Sequence, residues 1–198
     1  VRRAALDLVA AHFALHACPF EAHEHRVVLV DALLRVVRHR ELSLNRRMFA
    51  ILLGQHESAD YFCAHARELV VCALERQLLR TAAPSDERTL PYRVLQALLE
   101  REETASVLTD RLLLVLLRAI SRAREGPLAH KLISSAHNVL EHLAPAAPWR
   151  FLAARMLRAA RHHHTADWAE SVELVDTLTT VFPLQDEHVH AVCIPRML

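Results

Sequence analysis

The sequence predicts an all-α protein, and three observations support that prediction. Apolar residues recur at three- and four-residue spacing through almost the whole length, which is the period of an amphipathic helix. Only two glycines, Gly54 and Gly126, occur in 198 residues, against an ordinary usage of roughly 7%. No Asn-Gly or Asp-Gly pair is present, so the sequence lacks the strongest signal of a tight β-hairpin.

Composition and charge exclude several classes of function. The chain has 24 Lys and Arg against 23 Asp and Glu, a net charge of +1, which is unlike the strongly basic surface of a general nucleic-acid binder. P-loops, dinucleotide fingerprints and G-x-S-x-G elbows each need two closely spaced glycines, so the sequence contains none of them. We expect no enzyme activity, no cofactor, no catalytic residues and no nucleic-acid partner.

Pro, Gly and short polar clusters divide the apolar pattern into about nine helices, with a tenth cut off at Leu198. The predicted helices cover about 1–16, 21–40, 43–54, 58–80, 90–101 and 105–124, then a helix with Pro127 in its first turn, one with Trp149 near its start, and one that ends at Pro183. Ser43 and Ser58 are predicted N-caps, and Gly54 is predicted to follow the end of the third helix. The run Leu112 to Leu117 is apolar nearly all round, so it predicts the centre of the core.

Apolar stripes are predicted to pack these helices together. In the ninth helix the predicted inward stripe consists of Trp168, Val172, Val175, Leu178 and Phe182. Helices of about 12 to 22 residues with short connectors predict antiparallel neighbours, and pairs that recur every 35 to 45 residues or so are typical of a HEAT- or armadillo-like α-solenoid. Because no residue-by-residue repeat is evident, a compact irregular bundle is the alternative.

We treat residues 1–198 as a single helical segment. The sequence starts at Val1 within a predicted helix, so we expect it to be an excerpt of a much larger protein. None of its apolar runs approaches the ~18 residues of a membrane-spanning helix, which predicts a soluble or peripheral protein.

A basic edge is the strongest candidate for a binding site. Its members lie at the end of the second predicted helix and the start of the third: Arg35, Arg38, Arg40, Arg46 and Arg47. Guanidinium groups at one edge suit anionic headgroups or an acidic partner segment. The competing interpretation is a solvated edge whose arginines pair with acids such as Asp31 and Glu41.

Histidine and cysteine groupings raise the question of a metal or thiol site. His12, His16 and Cys18 lie close together in sequence, as do His188, His190 and Cys193, and imidazole with thiolate can bind zinc. Because the partners are scattered over helix faces and H-E-x-x-H does not occur, we expect no metal site. We interpret the cysteines as reduced and mostly buried, and the run His162 to His164 as a polar turn after a helix.

The third predicted helix carries a recognisable motif. Its sequence, Leu42 to Gly54, is LSLNRRMFAILLG, which resembles the "LSLNRR…LLG" segment of the N-terminal region of the Dopey (DOP1-like) family. Tyr61-Phe62 and the following apolar pairs resemble the next family helix, LPYRVL from Leu90 resembles the start of another, and HAVCIPRML from His190 is similar to the closing pattern. The resemblance therefore runs in order from about residue 30 to 198.

That resemblance implies a non-catalytic scaffold. Dopey proteins are very large cytosolic proteins attached peripherally to Golgi and endosomal membranes, where they act in vesicle and protein traffic. The resemblance implies partnership with a large HEAT-repeat protein related to Arf exchange factors, with links to phospholipid flippases, phosphoinositide membranes and motor adaptors. The alternatives are a generic HEAT-type interaction module outside membrane traffic and a metal or thiol enzyme that uses Cys18 or Cys193.

Overall fold

A computed structural model describes residues 2–17, 19–36, 41–54, 56–80, 85–124, 126–144 and 146–181, with the backbone alone at residues 85 and 86. Within these ranges the chain forms helices and turns and no strand. The helices of the described part are α1 Arg2–His12, α2 His23–Leu34, α3 Leu42–Leu53, α4 59–78, α5 Ser85–Leu99, α6 Glu102–Ala123, α7 Ala129–Leu140, α8 Ala147–Arg161 and α9 Thr165–Val181. The predicted all-α fold, with packing between neighbouring helices as in an α-solenoid, is confirmed.

The fourth helix contains a feature that the apolar pattern did not predict. It is α-helical over Ala59–Tyr61 and Arg67–Leu78, with a π-helical turn at Phe62–Ala66 between them. A π turn inserts one extra residue into an α-helix and is frequent at functional sites. Periodicity gives little warning of such a turn, because the apolar stripe continues on both sides of it.

Three residues were predicted to mark the beginning or end of a helix, and two of these predictions are confirmed. The Ser58 hydroxyl accepts a hydrogen bond from the Asp60 N–H at 3.2 Å and caps α4, and Gly54 follows α3 with φ of +74°. The cap predicted at Ser43 is wrong. The Glu41 carbonyl already accepts from the Leu44 N–H at 2.9 Å, so α3 starts one residue earlier and contains Ser43.

Three prolines lie inside or close to the helices of the described part. The fifth helix starts at Ser85 instead of about residue 90 and carries Pro91 in its interior, at the cost of one backbone hydrogen bond. Pro127 lies in the turn before α7, which begins at Ala129. Pro148 lies in the first turn of α8, where its missing N–H costs nothing.

The described chain divides into two compact units, Val1–Leu112 and Leu113–Leu198. A single segment over 1–198 stays a prediction. The tenth predicted helix and Phe182 lie outside the described residues.

In the first unit, contacts between side chains show which helices run in the same direction. Arg2 pairs with Glu41 at 4.0 Å and Asp7 with Arg47 at 2.8 Å, so α1 and α3 are parallel. The Gln77 amide near the end of α4 donates to the Asp31 carboxylate near the end of α2 at 2.8 Å. The α1–α2 pair therefore stacks on the α3–α4 pair, first helix on first and second on second, as the repeats of a solenoid do.

The fifth helix runs opposite to the fourth. Arg101, just after α5, pairs with Glu57, just before α4, at 2.6 Å. The same guanidinium lies 4.7 Å above the ring of Phe49 in α3, a cation–π contact. One side chain thus joins three successive helices of the first unit.

The second unit contains a helical hairpin and a row of cross-helix contacts. Arg155 in α8 donates to Asp167 at 2.8 Å and to Glu170 at 2.5 Å in α9, which fixes the antiparallel register of the hairpin. The cross-helix contacts join the end of α6 to α9, each between residues 52 apart in sequence: Arg118 to Glu170, Ser121 to Glu173 and Arg124 to Asp176. We call this row the α6–α9 ladder.

The predicted core is largely confirmed, with one exception in α9. In the run Leu112 to Leu117, all but Leu114 are buried. The buried face of α9 consists of Ser171, Leu174, Thr177 and Leu178. The predicted stripe is therefore wrong for Trp168 and Val172, which are 42% and 47% exposed, because the buried small hydroxyl residues shift the inward face of the helix.

Candidate interaction site

The structure describes three members of the predicted basic edge. Arg35 pairs with Asp31, one turn earlier in α2, at 2.9 Å. Arg47 in α3 donates through Nε to the Asp7 carboxylate of α1 at 2.8 Å. Arg46 is exposed on α3. The other two predicted members, Arg38 and Arg40, lie outside the described residues.

These contacts divide the three arginines into two kinds. Arg35 and Arg47 have their charge balanced by Asp31 and Asp7, as the interpretation of a solvated, paired edge expects. The exposed Arg47–Asp7 pair contributes only about 0–1 kcal/mol to stability, so an incoming anion can compete for the guanidinium group of Arg47. Among the described residues, Arg46 has no carboxylate within ion-pair distance and offers its full charge to solvent.

A second candidate site lies at the π turn of α4. A cleft of about 150 Å³ opens beside the turn. Its lining combines apolar, cationic, imidazole and thiol groups: Leu15, His23, Arg26, Cys63, Ala64, His65, Glu68 and Leu69. The Nε of Arg26 donates to the Phe20 carbonyl at 2.8 Å, which holds its guanidinium at the wall of the cleft.

Aromatic rings flank this cleft on the side of the short 3-10 turn Leu15–Ala17. His16 Nδ1 and the Tyr61 hydroxyl form a hydrogen bond of 3.0 Å, and the ring of His65 lies 4.9 Å from that of Tyr61. Gly54 approaches the same tyrosine, since a Cβ built on it lies 3.0 Å from the ring. The cluster fixes the start of α4 against the end of α3.

The predicted histidine and cysteine groupings do not come together as a metal site in the part of the chain that the structure describes. No group of three or more His, Cys, Asp or Glu is arranged there to hold a metal ion. His16 bonds to Tyr61 instead. Cys63 and Cys72 are free thiols and half-buried, whereas Cys18, His188, His190 and Cys193 lie outside the described residues.

Three pKa shifts outside the basic edge have structural causes. The hydrogen bond from Arg118 lowers the pKa of Glu170 below its ordinary value, against the opposing effect of burial. Burial raises the pKa of Tyr92 to about 12, so its phenol stays neutral. Burial likewise raises the pKa of the Cys72 thiol, which makes it a poor nucleophile at neutral pH.

Sequence reasoning missed the α6–α9 ladder and the cleft. Both depend on which helices meet, and this information is not in the spacing along one helix. The sequence does contain a weak indication of the ladder, because acids recur every three residues at Asp167, Glu170, Glu173 and Asp176. Among the described helices, none is both long enough and apolar enough to cross a bilayer.

Comparison with known proteins gives a family match that covers the basic edge. The sequence model described as "Dopey, N-terminal" matches residues 1–57, which span α1, α2, α3 and Gly54. The resemblance to the Dopey family is confirmed. Its N-terminal region is the part that this chain resembles, and the match favours a non-catalytic role.

Curated relatives extend the similarity beyond the third helix. "Protein DOP1 homolog" of Drosophila pseudoobscura pseudoobscura is 27% identical over 191 residues, which cover 84% of this chain and 7% of that protein. The protein of the same name from Drosophila melanogaster is 27% identical over 176 residues, or 77% of this chain and 6% of that one. The chain thus spans less than a tenth of the length of these relatives. No solved structure matches.

Proposed function

We propose that this chain is part of a Dopey-type scaffold in vesicle and protein traffic between Golgi and endosomes. The observation that carries the proposal is the match to the N-terminal region of the Dopey family over residues 1–57. A stack of helix pairs suits a scaffold because each pair adds exposed side chains to one long surface. The proposed location is the cytosolic face of Golgi and endosomal membranes, as a peripheral protein.

The basic edge is the proposed contact with acidic headgroups. Arg46 is exposed. Arg35 pairs with Asp31, and Arg47 pairs with Asp7 and also donates to the Ser43 carbonyl at 3.4 Å. Phosphoinositide headgroups carry several negative charges, and each basic residue near an anionic membrane surface contributes about 1 kcal/mol of attraction. Arg38 and Arg40, between these positions in sequence, belong to the same proposed site.

Vesicle binding tests that contact directly. We expect the 198-residue chain to sediment with phosphatidylcholine vesicles that contain phosphatidylinositol phosphates, and not with phosphatidylcholine alone. Changing Arg38, Arg40 and Arg46 to Glu should abolish sedimentation. A matched control changes the exposed arginines Arg80 and Arg93 to Glu and should leave it intact. Equal binding by both variants rejects the edge as the contact.

Localisation tests the traffic role. The tagged full-length protein should coincide with Golgi or endosomal markers in its own cell. The proposed partners are a large HEAT-repeat protein related to Arf exchange factors, a phospholipid flippase and a motor adaptor, and co-precipitation from solubilised membranes checks each of them. A diffuse signal without these partners leaves the generic HEAT-type interaction module as the function.

A further inference from the structure

The cleft beside the π turn of α4 combines an apolar part with a cationic wall, and we call it the π-turn cleft. Two of its lining residues, Leu15 and Leu69, are buried and form the apolar part. Arg26 of α2 lies at the wall, where its Nε donates to the Phe20 carbonyl at 2.8 Å. The two terminal nitrogens of this guanidinium remain as donors in one plane, which is the arrangement that matches the two oxygens of a carboxylate.

The charges around the π-turn cleft favour an anionic ligand. Arg26 has no carboxylate within ion-pair distance among the described residues. Glu68 supplies the carboxylate of the lining, but it already lies 3.4 Å from Arg67 and 3.6 Å from Arg111. These four side chains together carry three positive charges and one negative charge. An anion that enters the cleft therefore meets Arg26 unopposed by a free acid of the lining.

The size and the apolar part of the cleft limit the ligand further. Its volume is about 150 Å³, and a cavity of that size holds a molecule such as benzene, with about six heavy atoms. A phosphate group would place a hydrated dianion against buried Leu15 and Leu69, whose apolar surface would then gain no contact with an apolar group. A carboxylate on a short branched aliphatic group suits both parts of the lining.

We propose that the π-turn cleft binds a carboxylate carried on a short branched aliphatic group. The carboxylate accepts from the guanidinium of Arg26 and from the imidazole of His23, which lies three residues earlier on the same face of α2. The aliphatic group packs on Leu15 and Leu69. A free branched carboxylic acid has this chemistry, and so does the last residue of a protein chain that ends in valine or leucine.

This site is separate from the basic edge. The lining of the π-turn cleft contains none of the five arginines of that edge. The cleft lies at the start of α2, where His23 is the first helical residue, whereas Arg35 directly follows the end of the same helix. The inference therefore does not rest on the proposed membrane contact, and either can fail without the other.

A titration of the 198-residue chain followed by amide NMR tests the proposal. We expect 3-methylbutanoate to shift the amides of residues 62–69 saturably and to leave those of α8 in place. The uncharged 3-methylbutanamide should bind at least about tenfold more weakly, because it cannot form charge-assisted hydrogen bonds with Arg26. Acetate should also bind at least about tenfold more weakly, because it lacks the carbon atoms that pack on the leucines.

Variants distinguish binding in the cleft from a general effect on the fold. Arg26→Met should weaken the binding of 3-methylbutanoate at least about tenfold, and Arg26→Lys should weaken it less, since lysine keeps the charge without the planar donors. Glu68→Gln should tighten binding about threefold, because it removes a negative charge from the lining. The matched control is Arg80→Met, at an exposed arginine outside the cleft, and it should bind as the parent does.

Several results would overturn the proposal. They are the absence of saturable shifts at residues 62–69, equal binding of the acid and its amide, equal effects of Arg26→Met and Arg80→Met, and weaker or unchanged binding by Glu68→Gln. Circular dichroism confirms that each variant is folded.

A short peptide that ends in leucine with a free carboxylate distinguishes the two sources of the ligand. Tighter binding of this peptide than of 3-methylbutanoate supports the proposal with a chain end as the ligand. Weaker binding of the peptide supports it with the free acid.

Discussion

Gly54 ends α3 in a backbone conformation that other residues rarely adopt. Its φ of +74° and ψ of −178° lie in a region that is essentially restricted to glycine. The absent side chain also leaves room for the ring of Tyr61 at 3.0 Å from the Cβ position. Because both constraints act on one residue, the end of α3 depends on glycine for its backbone and for its packing.

Replacing Gly54 should therefore destabilise the protein. We expect Gly54→Ala to lower the free energy of unfolding by about 1–3 kcal/mol, measured by urea denaturation. Gly126→Ala is the matched control, since its Cβ meets only the Ala123 carbonyl at 3.6 Å. That variant should be near neutral. An equal loss in the two variants contradicts the assignment of strain to Gly54.

Glu170 should make stability depend on pH. The hydrogen bond from Arg118 lowers the pKa of Glu170 in the folded protein below its ordinary value of 4.5. The ionised carboxylate therefore stabilises the fold fully at pH values above 4.5. That contribution is lost as the pH falls through the lowered folded value. We expect Glu170→Gln to lower the free energy of unfolding by about 1–2 kcal/mol at pH 7.

The difference between the parent and Glu170→Gln should then shrink as the pH falls below 4.5. Urea denaturation across that range measures it. Glu100→Gln, at an exposed carboxylate in the first unit, is the control and should change neither the stability nor its pH dependence. A difference that stays constant from pH 7 to the acid limit contradicts the role given to the ionised carboxylate.

Helix ends show how far single residues predict local structure. Ser58 and Ser43 offer the same side chain, yet only Ser58 accepts from a free N–H. At α3 the first helical hydrogen bond is accepted by the Glu41 carbonyl, so this helix begins before Ser43. Residue type thus predicts that a helix begins nearby, and backbone geometry decides at which residue.

At the scale of elements, the π turn of α4 accommodates one extra residue. Deleting exposed Ala64 from Phe62–Ala66 should restore a continuous α-helix and leave the flanking helical segments in register. We expect a loss of less than about 1 kcal/mol, measured by thermal unfolding. The cleft lined by Cys63 and His65 should change, since both residues lie within the turn.

An equivalent deletion in a regular helix is the control. Removing exposed Ser106 from α6 rotates every following residue by about 100°, which turns buried leucines outward. This variant should unfold or lose more than about 3 kcal/mol. If both deletions are equally harmful, the π turn is not a simple one-residue insertion.

The outward stripe of α9 also belongs to this scale. Periodicity identified the helix and its buried Leu178, but it assigned Trp168 and Val172 to the core. Buried Ser171 and Thr177 were unexpected, because hydroxyl groups normally mark the solvent side. Both bond to carbonyls one turn earlier, at 2.6 and 2.9 Å, so the helix satisfies them internally and can bury them.

At the scale of the whole molecule, stability should differ greatly along the chain. The first helix buries only Leu6 and is held to α3 by two exposed ion pairs. The run Leu112 to Leu117 is almost entirely buried. We expect the amides of α1 to exchange at least about a hundredfold faster than those of residues 112–120, as measured by hydrogen–deuterium exchange. Uniform exchange contradicts this gradient.

The sequence predicted the fold more fully than the candidate sites. Helix periodicity and the two glycines were sufficient for an all-α array, because those signals are local. The pairing of Arg47 with Asp7 joins positions 40 residues apart, and the cleft at Cys63 needs a π turn. Such features depend on how helices stack. Asp31, one turn from Arg35 in the same helix, could therefore be named from the sequence, whereas Asp7, the partner of Arg47 on another helix, could not.

The order of contacts in the α6–α9 ladder shows that its two helices run in the same direction. The charges of the ladder do not determine how far one helix is shifted along the other. The acids at 167, 170, 173 and 176 recur every three residues in α9, and the two arginines of the ladder, Arg118 and Arg124, are six residues apart. If α9 slid by one step, Arg118 would meet Asp167 and Arg124 would meet Glu173, with the same signs of charge. Alignment must therefore come from contacts outside the ladder, which are the hydrogen bonds from Arg155 to Asp167 and Glu170 and the packing of buried Leu174. Changes at Glu173 and Asp176 should be tolerated, while a change in the volume of Leu174 should not.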